Sequence, residues 1–141
     1  MTLFLPPVRD EDRIQVRRVG QMLYTPGIVP RWGEEVRYSG AVDGDVSVRT
    51  AARAAQLCVH NVLALVRAER GSLDRVQQVM QLNVLVRCSD GFENISRVAD
   101  GASEALYQVF GSLGRHHRQV LPTDDLPFGA SVQVSGVFRI S

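Results

Sequence analysis

Residues 131–140, SVQVSGVFRI, alternate without a break: Val132, Val134, Gly136, Phe138 and Ile140 lie on one face, and Ser131, Gln133, Ser135, Val137 and Arg139 on the other. Successive side chains of a strand point to opposite sides of a sheet, so this period of two predicts a half-buried β-strand. Its apolar face has to be covered by something else in the chain, and its other face is left to solvent or to a second molecule.

Two stretches have the period that can cover it. From Val48, the residues Val48, Ala51, Ala52, Ala55, Val59, Val62 and Val66 recur every three or four positions, with Arg49, Arg53, Gln56, His60 and Arg67 opposite. Ser47 is a fitting N-cap and Gly71 a fitting C′ residue, which predicts an amphipathic helix of about six turns. A second helix runs to Gly111 with Ile95, Val98, Ala99, Ala102, Leu106 and Val109 as its stripe. Asp90-Gly91-Phe92-Glu93 has the spacing of a capping box ahead of it. Gly101 sits in the middle of that helix at a cost of about 1 kcal/mol relative to alanine, which implies a close packing contact there.

Between the helices, Val79–Val86 is the most apolar strand, with Met80, Leu82, Val84 and Val86 facing one way and Val79, Gln81, Asn83 and Leu85 the other. Upstream, residues 1–12 read as an N-terminal arm. Ile14–Val19 and Met22–Thr25 read as a hairpin about Gly20-Gln21, and residues 31–46 as a loop or short edge hairpin. Downstream, Gln119-Val120-Leu121 is a short strand ahead of Pro122. Leu126-Pro127-Phe128-Gly129 then turns the chain into the last strand, which puts Arg118 at the start of a hairpin. The order β-β-(β)-α-β-α-β-β predicts an α+β two-layer sandwich: one mixed β-sheet with two helices on one face, in a single domain spanning 1–141. The uncovered face, carrying Val79, Gln81, Asn83, Leu85, Gln133 and Ser135, is partly apolar, which points to burial in an oligomer.

Composition narrows the partners. A net charge of +1 with no long block of either sign gives no footprint for nucleic acid or a membrane surface. No run approaches the roughly 20 apolar residues of a membrane span. Cys58 and Cys88 have neither metal-ligand nor disulfide spacing and read as small core residues, which fits a reducing cytoplasm. No glycine-rich phosphate loop or metal cluster occurs, so no cofactor is expected. Arg118, fixed on a strand end, has the geometry of a bidentate carboxylate clamp, with a surface ion pair as the plain alternative. Asp100 lies in a polar helix stripe with Glu93, Arg97 and Glu104, and His60 on a solvated helix face. Trp32 and Tyr38, in the loop of residues 31–46, could form a lid.

Five segments stand in order and at characteristic spacing between Ile14 and Ile140: Val19-Gly20-Gln21-Met22-Leu23-Tyr24-Thr25-Pro26-Gly27, Ala54-Ala55-Gln56-Leu57-Cys58, Leu73-Asp74-Arg75-Val76, Val98-Ala99-Asp100-Gly101-Ala102-Ser103, and Gly114-Arg115-His116-His117-Arg118 followed by Leu126-Pro127. Together they resemble the Rid/YjgF family. The resemblance implies a chorismate-mutase-like fold assembled as a homotrimer. It also implies a cleft between subunits in which Arg118 grips the carboxylate of a small imino or enamino acid. By the same route, backbone amides of Gly27 and Val120 would line that cleft beside Tyr24, and Asp100 would reach it from the second helix.

The sequence departs from the family at the chemistry. Arg13 stands at a position commonly tyrosine, Pro26 at the serine of the first turn, Asp100 at the asparagine of the second helix, and Gln133 at the water-positioning glutamate. A glutamine can hydrogen-bond a water but cannot take its proton. His117 and His116 beside Arg118 offer a group that titrates near neutrality, though neighbours on an extended segment face opposite ways. The expectation is a divergent member in which Arg118, Gln133, Asp100 and His117 act on an imine or enamine, directing cyclisation or tautomerisation. The alternatives are an ordinary deaminase releasing ammonia and a 2-oxo acid, and a non-catalytic trimer that binds a small acid.

Overall fold

Helix α2 (Val48–Arg70) begins and ends as its sequence predicts. The Ser47 hydroxyl accepts the Thr50 N–H at 3.1 Å. At the other end Gly71 takes the left-handed conformation (φ 82°) while its N–H caps the Arg67 carbonyl. The computed structural model describes residues 3–141. Before α2 lie a single helical turn α1 (Asp10–Arg13), the strands β1 (Arg17–Val19) and β2 (Met22–Tyr24), and a small separate hairpin of β3 (Arg31–Trp32) and β4 (Glu35–Val36). After α2 come β5 (Val76–Arg87), α3 (Ile95–Phe110), β6 (His117–Thr123) and β7 (Val132–Ile140).

Five strands make one sheet in the order β1-β2-β7-β5-β6. All neighbours are antiparallel except β5 and β6, which run parallel. A parallel pair needs a crossover, and α3 supplies it. Strand β7 alternates as predicted: Val132, Val134, Gly136, Phe138 and Ile140 are buried, and Gln133, Ser135 and Val137 are half exposed. The buried face joins Leu23, Leu82, Val84 and Val86 to the apolar stripes of α2 and α3 in one core. The helices pack on each other through Gly101, where an added Cβ would lie 2.1 Å from the Ala52 carbonyl oxygen. Cys58 and Cys88 are buried free thiols, as expected of core residues.

Five expectations need correction. Strand β6 forms no hairpin with β7: β5 separates them, and β6 lies at the sheet edge, where Pro122 has no ladder donor to lose. Val79 is fully buried and Met80 is 39% exposed, the reverse of simple alternation, because register shifts bracket Val79 in its pairing with β7 and swap its face. Asp90 caps nothing, since α3 starts only at Ile95 after Asn94, which itself makes no side-chain cap. Residues 14–16 are not strand; α1 and its trailing turn occupy that part of the chain. The segment read as an arm is packed down from Leu3 onward: Leu5 belongs to the core, and Arg9 reaches Glu11, Asp12 and Glu34. Residues 1–2 of that segment lie outside the described residues.

Candidate functional site

Strand register decides which side each candidate faces. Arg118 pairs with Leu82, a core residue, so its side chain leaves β6 on the helix-covered side of the sheet. Gln133 pairs with Leu85, two positions on from the Asn83–Ser135 pair and so on the same face, and emerges on the open side. The two residues that the family resemblance assigns to one cleft therefore lie on opposite faces of one copy's sheet.

On the helix side, α3 and the β6 edge form a groove lined by Asp100, Ser103, Glu104, Tyr107, His116 and Arg118. The Arg118 guanidinium donates through one nitrogen to Asp100 Oδ1 at 2.9 Å and to Ser103 Oγ at 3.2 Å. Its side chain keeps about a quarter of its surface exposed, at 27%. A guanidinium has five N–H groups in a fork, and one nitrogen carries both of these bonds. The remaining donors are available to a ligand among the described residues. The acidic partner, Asp100, is itself 58% exposed, so an incoming carboxylate can displace it at little cost.

His116 continues this network. Its Nδ1 lies 2.6 Å from the Gly114 carbonyl, which can only accept, so Nδ1 carries the proton. Its Nε2 is then the acceptor in the neutral ring, 3.0 Å from Ser103 Oγ. Burial, and to a smaller degree the Arg118 charge, holds the imidazole below its ordinary pKa against the opposing Gly114 bond, so the neutral form is favoured. Tyr107 stacks on the ring at 5.7 Å between centroids. The directed chain is Arg118 N–H to Ser103 Oγ, Ser103 O–H to His116 Nε2, and His116 Nδ1–H to Gly114 O.

His117 is exposed and in register with Gln81 on the other side, so of the two histidines only His116 meets Arg118. Only one of the pair could, and the period of two picks it: His116, two residues before Arg118, shares its side, whereas His117, the one expected to act, does not. Ser103 and Tyr107 were missed. They fall one and two turns after Asp100 on the same helix face, a spacing that could have found them. Val120 is half-buried against the core from the β6 side. His60 is not simply solvated: it is half-buried, and burial lowers its pKa.

On the open side, Gly27 and Gln133 touch: a Cβ on Gly27 would fall 2.3 Å from Gln133 Nε2. They share a cleft with Asp12, Arg31, Pro127 and Phe128. Pro26 is half-buried beside it, and its carbonyl accepts the Thr25 hydroxyl. Tyr24 is 43% exposed. Arg13 is drawn away, toward Glu69 and the Ala68 carbonyl at the end of α2. Burial, only partly offset by Arg9, raises the Asp12 carboxyl above its ordinary pKa. Trp32 and Tyr38 lie on and just after the β3–β4 hairpin, with the Arg37 guanidinium 5.9 Å over the Trp32 ring.

Among the described residues, no group of three or more His, Cys, Asp or Glu side chains could hold a metal ion. No helix of the described chain is long and apolar enough to cross a membrane.

A family model described as "YjgF/chorismate_mutase-like, putative endoribonuclease" matches residues 13–138. The protein TCP17 of Trypanosoma cruzi is 35% identical over 123 residues, covering 86% of this chain and 77% of that protein. Among solved structures, Atu1372 of Agrobacterium tumefaciens is similar with a TM-score of 0.92 at 34% identity, over 98% of this chain and 87% of that one. The YjgF gene product of E. coli gives a TM-score of 0.65 at 18% identity, over 95% and 92% of the two chains, a likeness of fold alone.

Proposed function

The chain belongs to the YjgF/chorismate-mutase-like family, and on that premise we propose that it acts on an imine or enamine of a small carboxylic acid, holding the carboxylate at Arg118 and moving a proton rather than adding water. One observation carries this reading: a neutral imidazole is wired to the carboxylate clamp through Ser103, while the position of the family's water-positioning carboxylate is Gln133. An imine and its enamine interconvert by loss of a proton from carbon and gain of one at nitrogen, or the reverse. A neutral histidine can accept and return that proton near neutrality, whereas a glutamine cannot. Cyclisation through the enamine would follow from the same step.

Because Arg118 and Gln133 face opposite sides of one sheet, a complete cleft needs two copies, the β6 edge of one meeting the Gly27–Gln133 face of the next. A closed ring of identical contacts, such as a trimer, provides this for every copy.

The test is proton exchange at the carbon beside the imine of a cyclic imino acid such as 1-pyrroline-2-carboxylate, followed by proton NMR in deuterated water. Wild type should accelerate exchange, and both Arg118→Ala and His116→Gln should abolish the acceleration. A second reading, hydrolysis, is favoured by Asp12, whose raised carboxyl lines the same cleft as Gln133. Arg118-dependent ammonia release from enzymatically generated 2-aminoacrylate, without catalysed exchange on the cyclic imine, would establish hydrolysis and overturn the proton-transfer reading.

A further inference from the structure

Arg31 is the one charged side chain in the open-side cleft left without a counter-ion. It is 3% exposed, yet no carboxylate among the described residues comes within 4.0 Å of its guanidinium. The carboxylates nearby are committed elsewhere: Glu11, Asp12 and Glu34 all turn to Arg9. The bond that ties Arg31 to helix α2 runs from Asn61 Nδ2 to its backbone carbonyl at 2.8 Å and leaves the guanidinium unused. What the guanidinium does meet is the ring of Phe128, 5.1 Å from its Cζ. Phe128 is 68% exposed and held at φ 60°, so this aromatic residue stands out into solvent beside the cleft.

A buried charge is retained only when it is paired or when a ligand pairs it. A guanidinium stacked on an aromatic face keeps its in-plane N–H fork free, and that fork matches the two oxygens of a carboxylate. Gly27 opens the same cleft by lacking a side chain; a Cβ there would run into Gln133.

We propose that Arg31 is a second carboxylate-binding point, so that the substrate class is a dicarboxylic imino or enamino acid. This rests on the preceding reading, in which the Gly27–Gln133 face of one copy meets Arg118 of the next. One carboxylate goes to Arg118. The other goes to Arg31, with Gln133 supplying a neutral hydrogen-bonding amide between the two charges. A glutamate at position 133 would repel such a ligand, and a glutamine does not.

The experiment measures dissociation constants by calorimetry for stable 2-oxo acids standing in for the imines: pyruvate with one carboxylate and 2-oxoglutarate with two, with inorganic phosphate as a third probe. Wild type, Arg31→Gln, Arg31→Lys and Arg118→Ala are compared, each first shown by circular dichroism to be folded. Wild type should prefer 2-oxoglutarate over pyruvate by about 10- to 100-fold, the range expected for one added charged hydrogen-bonding group. Arg31→Gln should erase that preference while leaving pyruvate binding intact, and Arg31→Lys should restore part of it. If Arg31→Gln does not fold, the wild-type preference and Arg31→Lys still decide the matter.

Equal affinity for the two acids in wild type, or a preference untouched at Arg31, would overturn the proposal. Phosphate binding at Arg31 more tightly than 2-oxoglutarate would overturn the dicarboxylate class. Binding of both pyruvate and 2-oxoglutarate that needs Arg118 but shows no role for Arg31 would leave the proposed function standing alone. Binding of 2-oxoglutarate that needs Arg31 but ignores Arg118 would remove that function and, with it, the dicarboxylic substrate inferred here.

Discussion

Gly101→Ala tests the packing that positions the Arg118 groove. In an isolated helix this change stabilises by about 1 kcal/mol, because alanine is the better helix former. Here the new Cβ would sit 2.1 Å from the Ala52 carbonyl oxygen, 2.7 Å from its carbon and 3.0 Å from its Cα. All three atoms are backbone of α2, so no rotamer change relieves the contact; α2 and α3 must move apart by about 1 Å along much of their interface. Overpacking of this kind costs about 1–3 kcal/mol, toward the upper end when the neighbour is rigid. The net expectation is a loss of about 2 kcal/mol, read as a lower urea midpoint at unchanged slope. Adding Ala52→Gly should not rescue the variant, because the obstacle is the carbonyl and not the alanine methyl. Asp100 and Ser103 flank position 101, so ligand binding at Arg118 should weaken in the same variant. A Gly101→Ala protein as stable as wild type would refute the reasoning, and rescue by Ala52→Gly would place the contact on the side chain.

Two further outcomes follow from burial and charge. Val79→Ala should cost about 2 kcal/mol by the usual cavity cost of a buried branched residue, and Met80→Ala well under half of that. Chemical denaturation of the pair checks it, and the reverse order would show that the strand alternates without the register shift. His116 has its pKa lowered in the fold. As pH drops below the ordinary histidine value of about 6.5, the unfolded chain takes up the proton first, and stability is lost until the lowered folded value is passed. The stability difference between wild type and His116→Gln should therefore shift against wild type as pH falls through and below about 6.5, as followed by urea melts. A difference constant through that window would mean that the imidazole is not held neutral.

The strongly periodic parts of the fold were readable from the chain. Strand β7 and helix α2 carry unbroken periods, with Ser47 and Gly71 as local end signals, and they fold as read. Gly101 also announced itself, because a glycine in a helix interior is unexplained until a close contact is supposed. What escaped the sequence was non-local. Nothing in HHRQVLP says that β6 joins the sheet parallel to β5, although its period of two does put His116 rather than His117 on Arg118's side. Asp90 has the spacing of a capping box, but the chain turns at Ser89–Phe92 and starts α3 later. The bulge beside Val79 inverts the face of two residues without any glycine to mark it. For the site, family resemblance singled out Arg118 and Asp100, which the structure joins at 2.9 Å. The same resemblance gave no hint of Arg31, whose burial becomes visible only once the β3–β4 hairpin is seen folded against α2.

The account turns on a cleft shared between copies, and mixing two defective variants tests it most directly. Arg118→Ala and Gln133→Ala should each fail to bind a 2-oxo acid alone. Co-refolded in equal amounts, they should regain about a quarter of the wild-type binding sites, because random assembly pairs an intact Arg118 with an intact Gln133 face in about one contact of four. Mixed oligomers that form, as shown by mass spectrometry of differently tagged copies, yet recover no binding would contradict the account.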